Sequence, residues 1–403
     1  MVILEALDAF FGDCLVLRYP GPDGKERLWI IDGGPKAQTV GGKKVATWND
    51  VLLPRLKEIN PAKPLPVALG MVSHIDDDHI FGIQKLTNQL RAALPAKGAV
   101  EFSQFWFNSF DKIIGPKPAG LSAEAEAVTS SLEALDKPPN LPPVDDEHAQ
   151  AIMESVPQGN ALASDLRALN LQGNGVINGL VVAKHGQGTF NIEGAKVTVL
   201  GPLQTRLDKL RESWANALQR PDKAARQQAL EDLFLPKKSQ DKSVPNLSSI
   251  VVLVEVGGKK LLLTGDAHGD DVVAAWDEVG GLGALPATLD VLKMPHHGSI
   301  RNCTEKFLKS FVAKHYVFSA NGKFDNPDAP TLEALVEIHG NRDIVLHFTN
   351  EDVTWEETQK VQKSGAKVKN LTEMLQALRA AFPGPWKANA RKATDKSVVV
   401  QLA

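Results

Sequence analysis

Residues 73–79 read Ser73-His74-Ile75-Asp76-Asp77-Asp78-His79, which puts two imidazoles and three carboxylates directly behind an apolar run of Leu65, Val67, Ala68, Leu69, Met71 and Val72. A buried strand ending on such a loop would deliver several metal ligands to one place. Three more polar clusters sit at strand ends: Asn246-Leu247-Ser248-Ser249, Leu263-Thr264-Gly265-Asp266 and Met294-Pro295-His296-His297-Gly298-Ser299. Neutral imidazoles beside hard carboxylates suit zinc or manganese, and a set without cysteine fits hydrolytic rather than structural use. The competing reading of 73–79 is an acidic turn with Asp76 or Asp78 capping the next helix. The strand before the cluster and Gly82 after it favour a site. Asp77, between the ligand positions, reads as a solvated or capping residue. Asp266 is open to the same capping reading, because Asp270 and Ala274 suggest a helix behind it. His268 and His185 read as helix-start or surface residues, and His148, His315 and His339 take no role.

The elements that must position these groups are legible as alternating runs. Val2–Leu7, Cys14–Arg18 and Leu28–Asp32 are strand-like, with a turn at Pro20-Gly21-Pro22-Asp23-Gly24 and a sharp break at Gly33-Gly34-Pro35. Trp48 to Ile59 carries an apolar helical face ended by Asn60-Pro61. From about 83 to 184 helical stretches (85–94, 123–135) alternate with Pro-rich loops such as 115–118 and 137–143, around one strand near Phe105–Asn108. A second insertion, about 203–245, is charged, helix-forming and ends in the run Lys237-Lys238-Ser239-Gln240-Asp241-Lys242. Strands return at 195–200, 250–256, 260–263, 289–294, 316–319, 344–347 and 398–400, with Gly257-Gly258 turning a hairpin.

With 403 residues, 43% of them hydrophobic, the chain has ample apolar material for a large core. Its formal net charge of −3 supplies no global basic field, so a nucleic-acid substrate would need a local basic patch. Two cysteines, Cys14 and Cys303, are too few for a disulfide framework and fit a reducing compartment. No window approaches the ~20 apolar residues of a membrane span, which leaves a cytoplasmic protein as the expectation.

Phe11-Gly12-Asp13, Ile31-Asp32-Gly33-Gly34, His74-x-Asp76-x-Asp78-His79, Asn246-x-x-Ser249, Thr264-Gly265-Asp266 and His296-His297-Gly298-Ser299 follow one another along the chain. In that order they resemble the metallo-β-lactamase superfamily, whose signature is His-x-His-x-Asp-His. Asp76, standing where most members carry the second histidine, makes the chain similar to the subgroup that includes the hydrolase domain of ComEC-type DNA-uptake proteins.

The resemblance implies an α/β fold, a metallo-β-lactamase αββα sandwich, as one domain over 1–403 with two mostly helical insertions at about 83–184 and 203–245. It assigns His74 and Asp76 to a first divalent cation, Asp78 and His79 to a second, and Asp266 to both. His297, beside the glycine, is the expected ligand of the second cation. Alternation along an extended backbone would turn His296 the other way, to orient a neighbour or protonate a leaving group. Asp78, Asp266 and His296 are thus the expected catalytic residues. Asp32, Asn246, Ser249, Ser299 and Asn326 would support the ligands or contact substrate, while Asp13 reads as structural, with Gly12 permitting a sharp turn. Such a site implies a metal-dependent hydrolase, foremost a phosphodiesterase or nuclease in which a hydroxide held between two cations, zinc or manganese, ~3.5–4 Å apart attacks in line. The substrate is then a phosphodiester, nucleic acid included, with no membrane involved. Two departures bear on this reading. The superfamily's third histidine for the first cation is missing where Asn246 and Ser249 stand, so that one cation rather than two is an alternative. Asn326 also replaces a usual histidine. Competing readings are a lactonase or other carboxyl-ester hydrolase, and a regulatory protein that keeps the ligands as a scaffold and depends on a protein partner.

Overall fold

Alternation along the strands decides the layering. In the strand Leu15–Pro20, Leu15 and Leu17 join one core cluster while Val16 joins another. In Val251–Val256, Val252 and Val254 face one way and Leu253 the other. Strands apolar on both faces must be covered on both faces. The computed structural model, which describes residues 1–115, 147–186, 188–219, 246 and 248–403, is built accordingly as two sheets with helices outside each. The helix expected at 123–135, the loop 137–143 and the lysine run at 237–242 lie outside the described residues.

The first sheet runs in the order Ser397–Leu402, Val2–Leu7, Leu15–Pro20, Glu26–Ile31, Leu69–Met71, Phe105–Trp106. It is antiparallel up to Glu26–Ile31 and parallel beyond. The second runs Phe190–Ile192, Ala195–Gly201, Val251–Val256, Lys259–Leu263, Ala287–Lys293, Phe311–Phe318, Val345–Phe348, Lys387–Ala390. Here the meander through Lys259–Leu263 is antiparallel and the remaining strands are parallel. Leu17, Trp29, Leu69 and Met71 from the first sheet and Val252, Leu261 and Val291 from the second fill the space between them. Outside the first sheet, Ile80, Ile83, Leu86 and Leu90 form the buried stripe of the helix Asp77–Ala92, joined by Leu162 and Leu166 of Glu147–Ala168. Outside the second, Val272, Phe307, Leu332 and Leu378 bring in the helices Gly269–Val279, Glu305–Ser310, Ala329–His339 and Leu371–Ala381.

Two elements differ from the sequence expectation. The helix expected from residue 85 begins at Asp77, so its first turn includes Asp78 and His79 themselves. The strand near Phe105, expected inside a helical insertion, completes the first sheet, with Trp106 buried between the sheets. In both cases the apolar residues find the core before composition can mark a boundary. Among the described residues, no helix is long and apolar enough to cross a membrane.

Candidate metal centre

The strand ends meet where the two sheets adjoin. Ile250 donates its backbone N–H to the Ser73 carbonyl across the sheets (2.8 Å), and Gly265 adopts φ +49° against the Ser73 side chain. His74 and Asp76 follow the strand Leu69–Met71, Asp78 and His79 open the helix Asp77–Ala92, Asp266 follows Lys259–Leu263, and His296 and His297 follow Ala287–Lys293. Close backbone approaches fix the register. A Cβ on Gly12 would lie 2.0 Å from the Asp78 carbonyl oxygen, and one on Gly82 would lie 1.9 Å from that of Gly33. Gly12 closes the expected turn by donating its amide to the Ala9 carbonyl (2.9 Å), and it is needed there for close approach rather than for a positive φ.

Hydrogen-bond partners settle which ring nitrogen faces inward for three of the four histidines, and the Nε2 contacts of His297 place its ring the same way. Ser73 Oγ has one proton, donated to Asp32 Oδ2 (2.8 Å), so it accepts from His74 Nδ1 (3.0 Å). Asp32 Oδ2 accepts from His79 Nδ1 (2.9 Å). Asn302 donates Nδ2–H to the Asp266 carbonyl, which leaves its Oδ1 to accept from His296 Nδ1 (3.0 Å). His297 Nδ1 lies 3.5 Å from Asp13 Oδ1. All four Nε2 atoms consequently turn to Asp266, at 3.9 Å for His74, 3.2 Å for His79, 3.7 Å for His296 and 3.4 Å for His297. Asp76 Oδ2 is 3.4 Å from His74 Nε2, and Asp78 Oδ2 is 3.0 Å from His297 Nε2. Imidazoles held through Nδ1 with Nε2 turned inward are the arrangement metal sites use.

The donor set fits a divalent cation. Asp13, His79, Asp266 and His297, all buried, offer ligand atoms within 4.8 Å of one another. His74 Nε2, His79 Nε2, Asp76 Oδ1 and Asp266 Oδ1 are buried with no hydrogen-bond partner among the described residues, a cost that a cation would remove. Asp76 occupies the N-cap position of its helix, yet its side chain makes no capping bond, which removes the acidic-turn reading. Electrostatics agree. Burial opposes charging His79 and His297, but Asp266 with Asp78 and the other nearby carboxylates outweighs it and lifts both imidazoles well above their ordinary pKa. Burial likewise opposes ionising Asp78, but His79 and His297 hold it down at about 2, and Asp266 is held well below the usual carboxylate range. A pocket that attracts protons this strongly attracts cations for the same reason.

The other residues singled out from the sequence take the following places, with two corrections. His296 and His297 sit on a left-handed backbone (φ 47° and 55°), not an extended one, so alternation does not separate them and both rings reach the centre. Asp77 is buried rather than solvated, accepting from the Lys36 amide and Gln158. Asp32 binds His79 and Ser73 as a supporting carboxylate. Ser249 Oγ accepts from the Asp266 amide (3.2 Å), and Asn246 Nδ2 is 3.4 Å from His296 Nδ1. Ser299 is buried just after the histidine turn, and Asn326 lies on the neighbouring loop, where Asp328 donates its amide to the Gly298 carbonyl. His185 binds the Glu278 carbonyl at the surface, and His268 starts a helix. Sequence reasoning missed Asp13 as part of the cluster, and also Ser73, Asn302 and Lys293. Lys293 had left a signal: a lysine within the otherwise apolar stretch Val291–Met294.

Comparison with known proteins agrees with this geometry. Residues 180–322 match the model of the metallo-beta-lactamase superfamily, a span that includes Asp266, His296 and His297. The chain is also similar to ComE operon protein 3 of Bacillus subtilis (strain 168), 30% identical over 103 residues, which cover 25% of this chain and 13% of that relative. With a four-layer α/β architecture and a histidine–carboxylate cluster at its strand ends, the chain is similar over residues 180–322 to the metallo-beta-lactamase superfamily, a superfamily of metal-dependent hydrolases.

Proposed function

We propose that the protein is a metal-dependent phosphodiesterase with nucleic acid among its substrates, working with one or two divalent cations, zinc or manganese. One observation carries the reading: a single buried carboxylate, Asp266, has four imidazole Nε2 atoms between 3.2 and 3.9 Å from it, with Asp76 and Asp78 alongside. Bound cations would supply Lewis acidity toward a phosphoryl oxygen and make water acidic enough to attack near neutral pH. The chain's own residues do the rest. Asp266 orients the attacking water by accepting its hydrogen bond. Asp78, with 20% of its side chain exposed, marks the open side from which substrate enters. His296, 14% exposed and held through Nδ1 by Asn302, is placed to protonate the leaving oxygen. The preference for a phosphodiester over a carboxyl ester draws on Asp76, the residue behind the likeness to the ComEC-type subgroup. The buried free thiols Cys14 and Cys303 fit work in a reducing, cytoplasmic setting.

Turnover of bis-p-nitrophenyl phosphate by protein loaded with zinc or manganese tests the reading. Asp78→Ala and Asp266→Ala are each expected to lower it by more than about a hundredfold, since even the supporting partners of metal ligands are worth 10–100-fold. Hydrolysis of lactones without phosphodiester turnover would replace this reading with the carboxyl-ester one. For a polymer substrate, activity should fall steeply as salt rises, because contacts to a phosphate backbone are screened.

A further inference from the structure

The ammonium of Lys293 has no exposure to solvent and ends the strand Ala287–Lys293, three residues before His296. Its Nζ lies 2.5 Å from Asp13 Oδ2 and 3.1 Å from the Met294 carbonyl oxygen. Burying such a pair costs several kcal/mol of desolvation, and a hydrophobic pair of equal volume is often as stable. Something other than stability therefore accounts for it. The other Asp13 oxygen lies 3.5 Å from His297 Nδ1, within ion-pair reach and a few tenths of an ångström short of a hydrogen bond. Asp13 itself is fixed from behind: its amide donates to the Asp78 carbonyl, and its carbonyl accepts from Gly34.

We infer that Lys293 and Asp13 are a positioning pair for His297: Lys293 occupies one carboxylate oxygen of Asp13, and the other receives the His297 Nδ1 proton, so that the ring presents Nε2 to the cation. Asp13 then supports a ligand and is not itself one, although it lies close enough to the cluster to be taken for one. The geometry repeats the Asp32–Nδ1 contact of His79 on the other side of the centre. The inference rests on the cluster being a metal centre and is independent of the substrate.

Zinc affinity, measured on the folded full chain by competition with a chromophoric chelator, tests it. Lys293→Met and Asp13→Asn should each weaken binding about 10–100-fold. If Asp13 were a ligand restrained by Lys293, Lys293→Met would instead tighten binding, and that outcome overturns the inference. A purely structural latch between the sheets is separated by the double variant Asp13→Asn with Lys293→Met. It removes both buried charges, so stability should recover while zinc affinity stays low; recovery of both would also overturn the inference. Should the single variants not fold, long-range proton–nitrogen spectra of the zinc-loaded wild type decide the point. His297 is expected to ligate through Nε2 with Nδ1 protonated, and ligation through Nδ1 is the contrary result. Absence of zinc binding by the wild type would remove the metal centre itself, a failure distinct from unaltered affinity in the variants.

Discussion

Three of the imidazoles proposed for this centre are each the visible half of a pair. His79 is held by Asp32 and His74 by Ser73, while Asn302 holds His296, the proposed acid; the pairs matter because an imidazole that can rotate or change tautomer is a poor ligand and a poor proton donor. Gly12 belongs to the same apparatus, since the Asp13 carboxylate reaches the site only if the backbone passes close to Asp78. Gly12→Ala is expected to force that segment apart, costing about 1–3 kcal/mol by overpacking, visible as a lower urea midpoint together with weaker zinc binding. An unchanged midpoint would mean the loop relaxes freely. The segment His74–His79 was readable beforehand because its chemistry is contiguous. The pairing of Asp13 with Lys293 was not, because a carboxylate and a lysine far apart in sequence acquire a joint meaning only when a hairpin loop of one sheet meets a strand end of the other. The double histidine was half readable: Gly298, at φ +94°, belongs to a turn, and a turn voids the alternation argument for its neighbours.

Among the elements, strands were the most legible because their residues are apolar on both faces, while helix starts were displaced by tertiary contacts. Asp77 illustrates this, for it looks like a solvated cap and is buried because Gln158, on a distant helix, covers it. A second histidine pair lies on adjacent parallel strands away from the centre. His315 Nδ1 is 2.9 Å from His347 Nε2, and burial together with His315 pushes His347 down to about 3. The Asn389 amide faces the other His347 nitrogen at 3.4 Å, and Lys314, Asp290 and Asp343 act on His315. A ring that stays neutral when folded but titrates near 6.5 when unfolded contributes stability above that pH. As pH falls from about 6.5 toward 3, the unfolded chain takes up a proton that the folded ring refuses, so stability declines by up to about 1.4 kcal/mol per unit. His347→Gln should flatten that decline between pH 6 and pH 4 in urea titrations, and an unaltered slope would show that the folded ring is already protonated.

For the molecule as a whole, the centre is held jointly: His74, Asp76, Asp78 and His79 come from the first sheet and its helix, while Asp266, His296 and His297 come from the second. A cation bound by both sheets binds only the folded chain, so it should stabilise the whole. Zinc at a hundred times its dissociation constant is expected to add about 2.7 kcal/mol and raise the thermal midpoint by several degrees. Asp266→Ala should abolish the increment, and an equal rise in that variant would place the binding elsewhere. The αββα layering was legible only through the resemblance that the ordered motifs carry, while the strand-like runs by themselves marked elements and not layers.

Asp78 and His297, 3.0 Å apart across the centre, are separated by 219 residues of chain. A nascent polypeptide therefore displays His74, Asp76, Asp78 and His79 long before any partner from the second sheet has been made. An ion held by both sets would load only after the sheets have docked. The moment of docking, rather than the supply of ligands, then sets when the protein becomes competent.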